Sequence, residues 1–364
     1  MQKKRNRAGL WLDSAYENVR CQYNAFSQRV TSRKNLKIEH GGYPVSDEEY
    51  RQVLEFWKPF GVKPKKYWYQ LYGSGEGGFD VRYIPGDMWH KTILPYYNNL
   101  IWGRAYADKC AYDRLFSYLR RPRTITKNYC GRYFDGDQNI ITREEAIALC
   151  LKEERLIVKL TTHSSGGRSI QVLEKGEVSE AAVRKIFDEY ETNFIFQEIV
   201  EQHEDLARLN PTSLNTLRVI SFFFENETHI LSAQLRIGGE GARIDNYSSN
   251  GFACNVNPDG RLNERAINKS GWVTTHPRGF RFRDIVVPNF DKVVAVIKEE
   301  AAKLPYLNII GWDFAIGKDG EPVFIEMNVF PGQNQRGTGP TFGDMTERVL
   351  RDVLIDKTLQ DAFI

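Results

Sequence analysis

Asp319-Gly320 places the tightest constraint on how this chain can fold. The pair lies between two β-rich runs in GWDFAIGKDGEPVFIEMNVFPG, residues 311–332. A two-residue Asp-Gly loop between such runs closes a hairpin. A loop of that length sets the register: Ile316 faces Val323, Phe314 faces Ile325, and Asp313 faces Glu326. Alternation along the strands then divides the side chains between two faces. Trp312, Phe314, Ile316, Val323, Ile325 and Met327 share one face, which reads as core. Asp313, Glu326 and Asn328 share the other. Carboxylates directly opposite each other destabilise a sheet. A hard divalent cation, magnesium above all, relieves that repulsion and suits three oxygen donors. A solvated face whose acids pair with neighbouring cations is the other account of the same spacing.

The chain has 364 residues, enough for two or three subdomains around a large core. Its formal charge is +3, from 50 basic and 47 acidic residues, which is no footprint for nucleic acid. Five cysteines are scattered without a C-x-x-C, and six histidines without an H-E-x-x-H. That usage argues against a disulfide framework or a zinc site and fits a reducing cytoplasm. No apolar run approaches membrane-spanning length, and AGLWL is too short for the apolar part of a signal peptide. The basic MQKKRNR terminus reads as a frayed, solvated end, with weak contact to an anionic membrane surface as the alternative.

The first part of the chain reads as mainly helical. SDEEYRQVLEFW carries a capping box from Ser46 to Glu49, and the aromatic residues of KPKKYWYQLYG read as packing. GSGEGG, residues 73–78, reads as a flexible connection because no helix follows it. A helix is expected over YADKCAYDRLFSYL. From about Arg123 strands and helices alternate, with a second capping box from Thr142 to Glu145. Long strands follow in NTLRVISFFF, HILSAQLRIGG and FACNVNPDG, and a helix in FDKVVAVIKEEAAKL precedes the closing hairpin. The expected division is a helical region at 1–120, a small α+β unit at 121–200, and a larger one at 201–364.

Three further stretches carry candidate chemistry. Lys159 lies in the apolar strand RLIVKL, on the face shared with Ile157 and opposite Leu156, Val158 and Leu160. An ammonium there must reach water or meet an anion. Ser164-Ser165-Gly166-Gly167 follows; its backbone N–H groups and hydroxyls suit a polyphosphate, although it is not a P-loop. Taken alone, these residues are better explained as an ordinary glycine turn beside a surface lysine; an acidic metal patch across a cleft is what brings the phosphate reading forward. NFIFQEIV ends in a strand-to-loop hinge, where Gln197, Glu198 and Val200 are placed for an adenine edge. Glu201 and Asp205 follow as candidates for ribose hydroxyls, or as an acidic surface turn. Arg218 and Arg236 occupy consecutive strands. A loop centred on Glu227 puts them opposite each other as an anion clamp, whereas a two-residue Asn226-Glu227 loop puts them on opposite faces. Arg243, Asp245, Asn246 and Asn250 gather in RIDNYSSNG, as substrate contacts or a self-bonded turn.

Taken in order, these elements resemble the ATP-grasp superfamily over roughly residues 105–345. The phrases YIPGDMWHKTILPYYNN, PTSLNTLRVISFF and IGWDFAIGKDGEPVFIEMNVFPG resemble the sugar-transfer-associated members most. The resemblance implies an α+β ATP-grasp fold, in which two subdomains grip ATP behind a mainly helical N-terminal region. It implies that Lys109 and Lys159 contact ATP phosphates and that Ser164, Ser165, Gly166 and Gly167 fold over them. By the same likeness, Gln197, Glu198 and Val200 line the adenine and Asp205 meets the ribose. Asp313, Glu326 and Asn328 hold Mg2+, and Arg218 and Arg236 steady the transferred phosphoryl group.

The chemistry such a site implies passes the γ-phosphate of ATP to a carboxylate, after which an amine displaces phosphate. The expected substrates are a small-molecule carboxylate and an amine, one of them a sugar or surface-polysaccharide precursor. The helical N-terminal region departs from the alternating strand–helix pattern of many family members, which sets the substrate side apart. An ATP-grasp kinase, a non-catalytic nucleotide-binding module and a paired-carboxylate glycosidase are the competing readings.

Overall fold

The computed structural model describes residues 7–162, 170–242 and 251–359. Three helices begin the chain: α1 (Arg7–Ile38), α2 (Asp47–Trp57) and α3 (Lys66–Gly73). Ser46 caps α2, and the reciprocal bonds to and from Glu49 complete the box expected there. α1 is amphipathic in an unusual sense. Cys21 and Ala25 are buried, while Val19, Tyr23, Phe26 and Val30 are between 53% and 70% exposed on its outer side. Residues 86–115 run through short turns, including a π-helical turn at Trp89–Ile93. The single helix expected over residues 106–119 is therefore broken. Asp108 accepts a hydrogen bond from the Cys110 N–H at 2.9 Å and starts a new turn at Lys109.

The next segment builds a six-stranded antiparallel sheet. Its elements are β1 (Thr124–Tyr129), β2 (Arg132–Asp135), β3 (Ile140–Ile141), α4 (Arg143–Cys150), β4 (Leu156–Leu160), β5 (Ile170–Leu173), α5 (Glu180–Tyr190) and β6 (Phe194–Gln197). The strand order is β3-β2-β1-β6-β4-β5. Both helices cover one face, where Ile147, Cys150, Val183 and Phe187 bury Leu156, Val158, Phe194 and Phe196. The Thr142–Glu145 box caps α4. The opposite face is left for Ile157 and Lys159.

A seven-stranded antiparallel sheet follows, from β7 (Thr216–Phe224), β8 (Glu227–Ile237), β9 (Phe252–Val256), β10 (Leu262–Asn268), β11 (Gly271–Val273), β12 (Ile309–Ile316) and β13 (Pro322–Asn328). The order is β11-β10-β9-β8-β7-β12-β13. Helix α6 (Phe290–Ala301) supplies Val293 and Ile297 to a core with Leu217, Val219, Leu235 and Trp312. A second core joins Trp57, Trp68, Trp89 and Tyr97 to Phe222, Ile309 and the closing helix α7 (Thr346–Arg351). The aromatics of KPKKYWYQLYG are thus packing groups, and with Trp57 and Trp89 they fasten the helices to the sheet.

Two registers differ from expectation. The loop between β12 and β13 has three residues, not two: the Gly317 N–H donates to the Glu321 carbonyl, and Gly320 takes φ +83°. Phe314 therefore faces Phe324, not Ile325, and Ile316 faces Pro322. A bulge at Ile325 then restores the count, so Asp313 does face Glu326. Phe324 enters the core in place of Ile325, which lines the cleft. Neither alternative for the arginine strands holds. The β7–β8 loop is Glu225-Asn226, both at positive φ, and a bulge near Leu231 puts Thr216 opposite Arg236 and Arg218 opposite Gln234. The two arginines become diagonal neighbours on one face.

The GSGEGG segment is not a loose connection. A Cβ at Gly75 would collide with the Arg336 carbonyl, and one at Gly77 would come within 2.6 Å of the Gly339 backbone. The Glu76 N–H donates to that same Arg336 carbonyl at 3.0 Å. Bare backbone is needed here so that residues 336–339 can lie against the loop.

Candidate functional site

The seven-stranded sheet presents one continuous polar row to the cleft between the sheets. The row runs Asn255, Gln234, Arg218, Asp313, Glu326, one residue from each of five neighbouring strands and each directly opposite the next. Strand pairing alone aligns them, because residues in register across a sheet share a face. All five line a cavity of about 1650 Å³. Asn328 and Arg236 flank the row on the same side.

The charges in the row are paired in sequence. Arg218 holds Asp313 through two nitrogens, with Nη2 donating to Oδ2 at 2.7 Å, and Arg236 Nη1 reaches the same oxygen at 3.4 Å. Burial pushes the Asp313 carboxyl up, but the two guanidinium groups outweigh it and hold the group at about 2. Lys109 Nζ lies 2.8 Å from Glu326 Oε2. The expected repulsion between Asp313 and Glu326 is thus offset by one cationic partner on each side. Asn328 accepts from the Phe330 N–H at 2.9 Å.

Lys159 faces this row from the other sheet. It is only 7% exposed and lies beside Ile157 in the cavity wall. Burial and the neighbouring Lys109 pull its ammonium down to about 8, against the opposing pull of Glu326. Gln197 ends β6, is 7% exposed, and its Oε1 has no hydrogen-bond donor among the described residues. Glu198 and Val200 continue the wall. The Glu198 carboxylate accepts from the Arg123 N–H at 3.0 Å, so its side chain braces the hinge.

The structure gathers Lys109, Lys159, Gln197, Glu198, Val200, Arg218, Arg236, Asp313, Glu326 and Asn328 around one cavity. It does not bring Asp205 there. That carboxylate lies on the short helix Glu204–Ala207 beside His203 and Arg208, outside the cavity wall, while Glu201 lines it. Ser164, Ser165, Gly166 and Gly167 lie outside the described residues, as do Arg243, Asp245, Asn246 and Asn250. The sequence reading missed Gln234, Asn255 and the inner side of α1. Gln234 lies two residues before Arg236 in an alternating strand, a signal that marks the same face.

Among the described residues, no group of three or more His, Cys, Asp or Glu side chains is placed to hold a metal. The oxygen set here is two carboxylates and the Asn328 amide, a donor chemistry that fits a hard dication.

Two antiparallel sheets across a polar cleft, behind a helical N-terminal region, make an ATP-grasp fold of the α+β class. The family model described as sugar-transfer associated ATP-grasp matches residues 96–336, and the chain belongs to that family. Solved structures of similar fold include D-alanyl-alanine synthetase A from Vibrio cholerae O1 biovar eltor, at 14% identity and TM-score 0.40, covering 76% of this chain and 68% of that one. The ATP-grasp ligase PsnB with a phosphomimetic precursor variant, Mg and ADP matches at 13% identity and TM-score 0.41, with coverage of 71% and 61%. An L-amino acid ligase from Bacillus licheniformis matches at 13% identity and TM-score 0.37, with coverage of 69% and 48%. No curated protein matches the chain. Among the described residues no helix is long and apolar enough to cross a membrane.

Proposed function

We propose that the protein is an ATP-dependent carboxylate–amine ligase that forms a carbon–nitrogen bond on a sugar or surface-polysaccharide precursor. The observation that carries this reading is the row Arg218–Asp313–Glu326 facing Lys159 across one cavity. Lys159 and Lys109 bind the phosphates, and Gln197 Oε1 accepts from the exocyclic amine of adenine, which would satisfy an otherwise orphaned buried oxygen. Glu198 and Val200 complete that wall at the hinge. Asp313, Glu326 and Asn328 would hold Mg2+, which would supply neutralisation of phosphate charge when bound.

The reaction conserves atoms in two displacements. A substrate carboxylate oxygen attacks the γ-phosphorus and ADP leaves, giving an acyl phosphate. An amine then attacks the acyl carbon, phosphate leaves, and the amine gives up a proton. Arg236 and Arg218 stabilise the negative charge that develops during transfer. In a paired-carboxylate glycosidase Asp313, held ionised, would leave Glu326 as the acid, and Glu326 is ion-paired with Lys109 Nζ at 2.8 Å. The proposed division of labour gives residues 121–200 and 201–364, with Lys109, the nucleotide and metal, and the rest of residues 1–120 a wall for the other substrate. The five free cysteines fit a cytoplasmic setting.

A coupled assay for ADP release over pairs of carboxylates and amines tests the reading. ADP formation that requires both partners, with an amide product, is expected. Nucleotide binding without turnover for any pair counts against it, and a phosphorylated hydroxyl in place of an amide makes the protein a kinase.

A further inference from the structure

The cavity is larger than the 300–1,000 Å³ or so typical of a single-ligand pocket, and its far end has a different chemistry from the phosphate end. There the wall is the inner side of α1. Gln28, Thr31, Ser32 and Asn35 recur at i, i+3, i+4 and i+7, the spacing of one helix face, and all four line the cavity. One turn earlier the same side carries buried Cys21 and Ala25. A face directed at the interior is normally apolar. This one turns polar where the cavity begins, even though the outer side of α1 is apolar.

The same cavity is also lined by a chain of side-chain amides. Gln234 donates to Asn334, and Asn334 Nδ2 donates to Asn255 Oδ1 at 2.6 Å. Gln333 Nε2 donates to the Tyr72 hydroxyl at 3.1 Å and to the Ile84 carbonyl at 2.9 Å. Amides and hydroxyls both donate and accept, as sugar hydroxyls do, so such walls match a ligand with many hydroxyl groups.

The charges at this end argue in the same direction. Arg336 is paired with Glu39, Arg104 with Glu17, and Arg20 lies 3.8 Å from the same Glu17. Arg104 and Arg20 therefore share Glu17, while Arg336 lies against Glu39 and its Nε has no acceptor among the described residues. A small dicarboxylate or an acidic amino acid would have to compete with those acids, whereas an uncharged polyhydroxylated body would not.

We propose that the α1 end of the cavity is the binding site for the ring of a sugar substrate, held by Gln28, Thr31 and Asn35 on one side and the Asn255–Asn334 amides on the other. The site rests on the ligase reading for its place next to the transferred phosphate. A carboxylate borne by the sugar would extend toward Arg236, while its hydroxyls remain with α1.

The test is saturation-transfer NMR on the full chain, with D-glucuronate and D-galacturonate as probes and glutarate and L-glutamate as comparators. Binding of a non-hydrolysable ATP analogue is measured in parallel. At least one uronate is expected to bind, with neither comparator doing so. Gln28→Ala combined with Asn35→Ala is expected to weaken the uronate about tenfold or more, at two lost hydrogen bonds, and to leave nucleotide affinity unchanged. Both positions are only part-buried, and an unchanged helical circular dichroism signal would show that the variant folds. Equal binding of glutarate, undiminished uronate binding in the double variant, or no binding of either uronate overturns the site. Loss of nucleotide binding in the wild-type chain, with the sugar results intact, would instead overturn the ATP reading and leave the sugar site standing.

Discussion

Arg218 and Asp313 face each other on adjacent strands 95 residues apart in sequence, and the guanidinium spans both carboxylate oxygens. The acid is buried and ionised because this partner is built into the register of the sheet. A cation placed by backbone pairing needs little further ordering of its own, which is why the pair can stand at the centre of the cleft.

Replacing Arg218 with Met should leave Arg236, at 3.4 Å, as the remaining cation paired with Asp313 among the described residues. Removing one partner of a buried pair costs about 3 kcal/mol or more, and urea unfolding at neutral pH should show a loss of that size. Asp313→Asn combined with Arg218→Met should recover much of it, since no isolated charge then remains.

Lys159→Met should weaken a non-hydrolysable ATP analogue by about 10–100-fold, the range for a hydrogen bond to a charged group, with thermal stability nearly unchanged or raised. Because the free ammonium titrates at about 8, nucleotide affinity in the wild type should decline as pH rises above that value. Lys159→Arg keeps its charge and should flatten that decline. Isothermal titration between pH 7 and about 9.5 reads both effects.

Glu326→Gln should reduce magnesium-dependent ADP release by at least about tenfold while the melting temperature moves by only a few degrees. Its side chain is 31% exposed, so loss of its charge costs the fold less than it would at buried Asp313. Chelation of the wild type should abolish turnover, and excess magnesium should restore the wild type better than the variant.

His90 is buried in the π-helical turn, stacked on Phe330 with ring centroids 5.2 Å apart. Burial depresses its pKa to about 4, below the ordinary 6.5. A base with a lowered folded pKa costs stability when the unfolded chain takes up a proton that the folded chain does not. Its contribution is therefore intact above about pH 6.5 and is lost as pH falls from there toward 4. The linked change is on the order of 3 kcal/mol. Stability of the wild type against pH, compared with His90→Gln, should show that loss only in the wild type.

Much of the cleft was legible because strand chemistry is local. Alternation placed Lys159 with Ile157, and it placed Asp313 with Glu326 and Asn328. The hairpin register was right at Asp313 for an incomplete reason. The extra loop residue and the bulge at Ile325 cancel, and nothing in the alternation of VFIEMN reveals either. The arginine hairpin shows the same effect, since a bulge near Leu231 brings Arg236 into phase with Arg218. Asp205 was misplaced because a strand-to-loop hinge gives no direction beyond its first residues, and His203 turns the chain into a short helix. The wall formed by α1 was hidden for another reason. Polar residues at helical spacing read as a solvent face until the tertiary structure shows that they point inward.

The row from Asn255 to Glu326 also works as a checksum on assembly. Its five members belong to five strands, and β12 is inserted beside β7 only after more than eighty intervening residues have been laid down. A slip of one residue along any strand would turn that strand's member to the opposite face. A chain with one misaligned strand could keep most of its buried apolar area and still lack a usable cleft. Ligand binding should therefore report on correct strand alignment more sharply than bulk measures of compactness do.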